Sequence, residues 1–382
     1  MKYCKKCLTT NLRPNAEFNA SQICIACEFA ASDYTPQLAS DKNLRDLKSW
    51  ISQLKKKNQF KKYNDQYDCI VGVSGGKDST RQAHWVRDRL GMNPLLVCGA
   101  YPPKQMTSIG AENISNLISM GFDLEIVCPA PKSAARLSLE AFRLFGNVCK
   151  STELALFSVV PQVALEKKIQ FIFWGENPAL QVGDRATLGV NPFDGSNLRS
   201  LNTLSDGGIE WIEKCVGRKS AFYRYPSLAD MNKKGINIVY LGPAWDDWST
   251  FENASYAALQ GLTLRPESMR ETGDTSGASM LDEEFTNINM MLRYFKFGFG
   301  RATDDVNEAI RSGRLSRTEG AKIAQEFDGV CSDEIIERYC EYTEISVNEF
   351  WRVAISFVNQ DLFSVASGQR PKPLFKVGHD FD

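Results

Sequence analysis

Cys69-Ile70-Val71-Gly72-Val73-Ser74-Gly75-Gly76-Lys77-Asp78-Ser79 is the stretch that decides the fold. Its first five residues are a short apolar run, the mark of a strand buried on both faces. Two glycines follow, which let the backbone turn sharply and approach a ligand closely. Behind them Ala83, Val86 and Leu90 share one helical face, so strand, turn and helix succeed one another directly. Unpaired amides at such a helix start, with the helix dipole, favour an anion. Ser74 and Ser79 add hydroxyl donors, and Lys77 adds a positive charge that suits a phosphate. Asp78 belongs beside a phosphate only if it faces a magnesium ion or caps the turn. The P-loop of kinases and GTPases is a poor match, since it needs four residues between its glycines and Ser or Thr after its Lys. Here three residues separate Gly72 from Gly76, and Asp78 follows Lys77. A Rossmann fingerprint is absent too.

Downstream the alternation continues. Pro94 to Ala100, Leu124 to Cys128, Phe171 to Trp174 and Ile236 to Leu241 read as further strands. Helical patterns lie between them, one marked by Ile114, Leu117 and Ile118 and another over 152–167. This predicts an α/β domain over 67–265, a parallel sheet with helices on both faces. Ligands of such sheets bind beyond the carboxyl ends of the strands, where the loop at 74–79 lies. Upstream, Leu44, Leu47, Ile51 and Leu54 predict an amphipathic linker helix within 41–66. Lys55, Lys56, Lys57, Lys61 and Lys62 form its solvated face. After residue 265 strand signals vanish, and Ser316-x-x-Glu319 and Ser346-x-x-Glu349 are capping-box patterns before apolar helical rhythms. Residues 266–382 are therefore expected to be mostly helical, with an irregular tail from Arg370 because of Pro371 and Pro373.

Residues 1–40 hold a different kind of signal. Cys4-x2-Cys7, sixteen intervening residues and Cys24-x2-Cys27 have the spacing of a four-cysteine zinc ribbon. Two residues between cysteines let a tight turn aim both thiolates at one ion, and four thiolates leave no open position for water. A structural Zn²⁺ is expected, with an iron–sulfur cluster as the lesser alternative. Of eleven cysteines the other seven are scattered, and Cys69, Cys98 and Cys128 sit in or beside predicted strands, where free cysteine acts as a small buried hydrophobe.

Composition bounds the rest. The 382 residues are 43% hydrophobic and 24% charged, with net charge −1, the balance of an ordinary globular protein. A broad nucleic-acid surface is disfavoured by that charge. With neither a secretion signal nor a run of about 18 apolar residues, a cytoplasmic protein without a membrane span is expected.

Ser-Gly-Gly-Lys-Asp-Ser after a strand resembles the PP-loop ATP pyrophosphatase superfamily, which cleaves ATP to AMP and pyrophosphate while adenylylating a carbonyl-type oxygen. Further stretches narrow the likeness: Phe145-Gly146-Asn147, Gly175-Glu176-Asn177-Pro178, Lys296 to Asp305, Ile310 to Arg314, and Arg317-Thr318-Glu319. With the four cysteines, they make the chain resemble the N-acetyl sugar amidotransferase family of bacterial surface-polysaccharide synthesis, the WbpG- and PseA-like proteins. The resemblance implies an ATP-dependent amidotransferase of lipopolysaccharide or related glycan biosynthesis. ATP would activate the amide oxygen of an N-acetyl group on a nucleotide-linked sugar, and ammonia would displace AMP to leave an acetamidino group. The ammonia would come from a separate glutaminase subunit with a cyclase-like partner, since this chain shows no nucleophile-elbow cysteine and only His84 and His379 as histidines. Implied site residues are Ser74, Gly75, Gly76, Lys77, Asp78 and Ser79 on ATP, with Mg²⁺. Gly175, Glu176 and Asn177 would meet the same pocket, Glu176 holding magnesium or deprotonating ammonium, and Arg301 would contact phosphate or sugar. The rival reading is a PP-loop tRNA-modifying enzyme of thiolase type, which needs a basic surface and a reactive cysteine, for which Cys149 and Cys215 are the candidates.

Overall fold

Each apolar run becomes a strand: β1 (Cys69–Val73), β2 (Pro94–Gly99), β3 (Leu124–Val127), β4 (Phe171–Trp174) and β5 (Asn237–Tyr240). In this computed structural model, which describes residues 1–31, 40–57, 66–99, 101–175, 189–201, 204, 209–245 and 248–381, they form one sheet. Every pairing is parallel and the order is β3-β2-β1-β4-β5. The chain builds outward from β1 to β3, then crosses β1 to lay β4 on its other side. Between β1 and β4 the direction of building therefore reverses, and in sheets of this kind ligands bind in the crevice beyond the carboxyl ends at that point.

Side chains two apart share a face, and the sheet uses both faces. Ile70, Val97, Ile172, Ile238 and Tyr240 pack with Leu154, Val159 and Val163 of the helix Lys150–Lys167. Val71, Val73, Leu96, Cys98, Phe171, Phe173 and Val239 pack on the opposite face. After a short α1 (Ile25–Ala30) near the N-terminus, this second face is covered by α2 (Ser40–Lys57), α3 (Lys77–Leu90) and α4 (Ser108–Ser119), through Leu47, Ile51, Leu54, Ala83, Val86, Ile114 and Leu117. The first face belongs to α5 (Pro131–Phe145) and α6 (Lys150–Lys167). Such burial contributes roughly 1.5–3 kcal/mol for each fully buried aliphatic or aromatic side chain. The α/β class with helices on both faces is thus the one the sequence predicts. Lys61 and Lys62 lie outside the described residues.

A helical region follows, with α7 (Thr250–Leu259) against α3, then α8 (Thr286–Phe297), α9 (Arg301–Arg311), α10 (Arg317–Phe327), α11 (Asp333–Thr343) and α12 (Val347–Ser356). Its core gathers Phe285, Leu292, Phe295, Tyr339 and Phe350, together with Phe142 of α5 and Tyr3 and Leu8 of the N-terminus. Three features here go beyond the expected pattern, although the tail from Arg370 is largely irregular as expected. Phe363–Ser364 and Lys372–Pro373 pair antiparallel, too short to show a periodicity, so strand structure does not end at 265. The tail is built in: Phe375 and Val377 are buried, and the Phe381 amide donates to the Met1 carbonyl at 2.8 Å. Finally, Ser316 and Glu319 form a reciprocal capping box, but at α12 only Ser346 caps, because Glu349 pairs with Arg143 of α5 at 2.6 Å. Among the described residues no helix is long and apolar enough to cross a membrane.

Candidate functional site

At the carboxyl end of β1 the chain turns through Gly75 at φ +85°. A Cβ there would lie 3.0 Å from the Ile114 side chain and 3.2 Å from the Gly110 carbonyl oxygen, so the turn is pressed against the first turns of α4. Gly76 is the N-cap of α3 and supplies no side-chain cap. The start of α3 thus lacks a capping side chain and stands directly behind the glycine turn, the arrangement in which a helix N-terminus holds an anion. Ser79 folds back, its hydroxyl donating to the Gly76 carbonyl at 3.2 Å while accepting from the Ser74 amide at 3.4 Å. Lys77 is buried, its side chain 7% exposed, and its ammonium sits 2.7 Å from Asp78. The other Asp78 oxygen accepts from Asn253 of α7 at 2.7 Å, and Arg81 holds Asn253 at 2.8 Å. Asp78 is thereby a bracket that keeps a charged lysine at the mouth of the loop.

Gly175 ends β4, next to the loop, since Phe173 registers with Val71. A Cβ at Gly175 would fall 2.0 Å from the end of the Gln82 side chain of α3, so a larger residue here would displace that side chain. Glu176 and Asn177 lie outside the described residues. Arg301 opens α9 and contacts the Ser279 hydroxyl and, at 3.2 Å, Asp305. Burial works against its charge, but Asp305, Asp304, Asp274 and Asp78 together hold its guanidinium above the ordinary value. The helical region thus brings a cation within electrostatic reach of Asp78.

Sequence reasoning missed a carboxylate at this spot. Asp282 is half-buried, accepts from the Tyr101 hydroxyl at 3.0 Å and is hydrogen-bonded by Ser74. Burial raises its carboxyl, and hydrogen bonds from its own amide, Ser74 and Tyr101 offset part of that. The segment carrying it is clamped on α4: a Cβ at Gly110 would meet the Asp282 Cα at 2.7 Å. Only the acidic cluster Asp282-Glu283-Glu284 inside an otherwise uncharged stretch signals it in the sequence.

Other motif residues prove to be joints. Lys296 donates to the Phe145 carbonyl at 2.9 Å and so closes the end of α5. Gly146 sits at φ +57°, where a Cβ would be 2.6 Å from Phe357. Asn147 caps the chain by accepting from the Cys149 amide at 2.8 Å. Cys149 is buried, 4.0 Å from a Glu283 oxygen, and burial and that carboxylate push its thiol well above the ordinary range, the reverse of a reactive thiolate. The Cys215 thiol is raised by burial as well. Cys128, expected inside, is exposed at the end of the edge strand β3, whereas Cys69 and Cys98 are fully buried.

At the N-terminus the sulfurs of Cys4, Cys7, Cys24 and Cys27 lie within 4.8 Å of one another, all buried. Cys4 and Cys27 are 4.0 Å apart and Cys7 and Cys24 3.6 Å, while a tetrahedral zinc with Zn–S near ~2.3 Å needs sulfurs about 3.8 Å apart. Amides of Cys24 and Lys6 point at the Cys4 sulfur at 3.3 and 3.4 Å, and that of Thr9 at the Cys7 sulfur at 3.4 Å, which stabilises thiolate charge. Hydrogen bonds from Cys24 and then Cys27 pull the Cys4 thiol far down. The donor set fits a closed structural zinc. The ribbon is tied into the helical region: Asn307 of α9 accepts from the Leu8 amide at 2.6 Å, and Arg317 of α10 donates to the Cys7 carbonyl at 3.1 Å.

No curated protein matches the chain. Residues 280–374 match the family model described as the LPS biosynthesis protein WbpG-like, C-terminal domain. The match spans α8 to α12 and the short strand pair, the region that presents Arg301 to the loop. A WbpG-like C-terminal domain supports a role in surface-glycan biosynthesis, the work of an enzyme family. With that domain closing on a strand–glycine turn–helix crevice and a four-cysteine ribbon, the chain is similar to the WbpG-like family of lipopolysaccharide biosynthesis proteins.

Proposed function

We propose that the chain is the synthetase subunit of an ATP-dependent amidotransferase. It would convert the N-acetyl group of a nucleotide-linked sugar to an acetamidino group and release AMP and pyrophosphate. The observation that carries this reading is the uncapped start of α3 behind a left-handed Gly75, with the buried Lys77–Asp78 pair beside it. Such a cradle suits the phosphates that depart as pyrophosphate.

An amide oxygen is a poor leaving group, and its adenylylation makes a good one, so the protein's tasks are positioning and charge stabilisation. Amides of α3 and the hydroxyls of Ser74 and Ser79 would hold the outer phosphates. Lys77, released from one side of Asp78, would offset their growing charge. Asp78 and Asp282 have the oxygen chemistry of magnesium ligands, and Asp282 has lone pairs beyond its two hydroxyl partners. Bound with nucleotide, Mg²⁺ would add positive charge at the phosphates. Arg301 would steady the substrate's phosphate or carboxylate from the side of α9. A separate glutaminase with a cyclase-like partner would supply the ammonia. The thiolase alternative draws no support from Cys149, whose thiol is buried and protonated.

Incubating the chain with ATP, ammonium and a panel of acetamido sugar nucleotides tests the proposal by mass spectrometry. AMP should appear with a product in which NH replaces O. Formation of ADP instead, or of AMP with no change in any sugar, would reject it.

A further inference from the structure

Beyond the carboxyl ends of β2 and β3, on the α6 side of the sheet, lies a hollow of about 270 Å³, its open mouth included. The enclosed part has room for about one water-sized molecule, so its occupant has very few heavy atoms. Gly99, Tyr101, Gln105, Ser151, Thr152 and Tyr223 line it, and no lining side chain is charged. Tyr223 is 2% exposed, yet its hydroxyl has no hydrogen-bond partner. A buried hydroxyl left so costs roughly 1–3 kcal/mol, which a hydrogen-bonding occupant removes. Gln105 is already spent: its amide nitrogen donates to Thr152 at 3.0 Å and to Glu283 at 2.8 Å, and its oxygen accepts from Tyr342 at 3.3 Å. The hollow also abuts the phosphate crevice, because Tyr101 lines it while donating to Asp282, the partner of Ser74.

We propose that this hollow is the station of the nucleophile, where one molecule of neutral ammonia waits beside the activated carbonyl carbon. The inference rests on the amidotransferase reading above and adds to it the place and protonation state of the nitrogen. Ser151 and Thr152 stand in the first turn of α6, whose positive dipole end repels ammonium but accepts a lone pair. Uncharged walls strip ammonium of solvent without compensation, so nitrogen enters as NH₃. The Tyr223 hydroxyl donates to the ammonia lone pair or accepts one of its hydrogens, and Thr152 holds the opposite side. When the nitrogen attacks, the C–N bond forms and the C–O bond to AMP breaks, its electron pair leaving on AMP. The sugar nitrogen keeps its own hydrogen, the new nitrogen keeps two of ammonia's three, and the third leaves as a proton to the departing AMP phosphate or solvent, so no oxidant or further reactant is needed.

Tyr223→Phe removes one hydrogen bond and keeps the shape of the wall, while Thr152→Val keeps the shape but also removes the acceptor of the Gln105 amide. Two measurements on the full chain separate this inference from its parent. ATP–pyrophosphate exchange with the acetamido sugar and no ammonium reads adenylylation alone, and amidine formation across ammonium concentrations reads capture of the nucleophile. The expected result is exchange at the unaltered rate with half-saturating ammonium raised about fivefold in each variant. Saturation curves that coincide with the unaltered protein, with exchange intact, overturn the station and leave the amidotransferase reading standing. Lack of exchange in the unaltered protein overturns both.

Discussion

At the scale of single residues, conformation and charge at the crevice are set by neighbours that can be removed one at a time. Gly75→Ala puts a Cβ on a residue at φ +85° and within 3.0 Å of Ile114. The strain is about 1–2 kcal/mol, so the melting temperature should fall modestly. Displacement of the α3 amides should cut ATP–pyrophosphate exchange far more, and a variant that exchanges at full rate would show that the turn does not touch nucleotide. Glu283 gives a pH prediction of a different kind. Burial, partly offset by hydrogen bonds from Thr286 and Gln105, raises its carboxyl from 4.5 to about 7. Since the folded chain holds this proton more tightly than the unfolded one, the contribution is full below pH 4.5 and fades as pH rises through 7. A difference of this size is on the order of 3 kcal/mol. Glu283→Gln keeps acceptors and donors for Gln105 and Thr286 without the charge. It should leave stability near pH 4.5 unchanged and raise it at pH 8. Thermal melts across that range that run parallel for both proteins would reject the assignment.

Among elements, the caps differ in a way that melts can resolve. Ser316 and Glu319 satisfy two amides of α10 reciprocally, so Ser316→Ala should cost about 1–2 kcal/mol. Ser346 does half of that work, because Glu349 is committed to Arg143, and Ser346→Ala should cost the smaller amount. Equal losses would mean that the side-chain half of the box contributes nothing. The same contrast explains what was legible in the sequence. β1 to β5 could be read because apolar runs between helical rhythms have one good solution, a buried parallel sheet, and the glycine turn follows from its place after β1. The four cysteines were legible because ligand spacing is a property of the chain itself. Asp282 and Asn253 were not, since each reaches the loop from more than 170 positions away through packing alone. Lys296, Gly146 and Asn147 stand in the motif stretches for a different reason. A motif shared by resemblance records constraint, and here the constraint is the joint between α5 and the helical region.

For the whole molecule, the ribbon is the point where the two chain ends meet. Tyr3 donates to Asp380 at 2.7 Å, Arg317 holds both the Cys7 carbonyl and, at 2.9 Å, the Gly378 carbonyl, and Arg13 pairs with Asp304. Arg13 and Arg293 stack on Phe299 at 4.3 and 4.9 Å, so the glycine-rich entrance of α9 is gripped from the ribbon side. Asp304, one turn beyond Arg301, takes both guanidinium groups. A zinc ion closing the four cysteines would draw off their protons and contribute folding energy to the ribbon. A purely local site would lose structure only over its first 30 or so residues when the metal is removed. The contacts above predict a wider loss. On chelation, or in Cys4→Ser, hydrogen exchange should accelerate in α9, α10 and the tail as well as in the ribbon, while β1 and β2 stay protected. Because Arg301 opens α9, the same treatment should raise the KM for nucleotide more than it lowers kcat. Arg13→Ala, which spares all four ligands, should reproduce the change in KM with the metal still bound. Exchange that accelerates in the ribbon alone would make it an independent module, free to serve a partner instead of bracing the crevice.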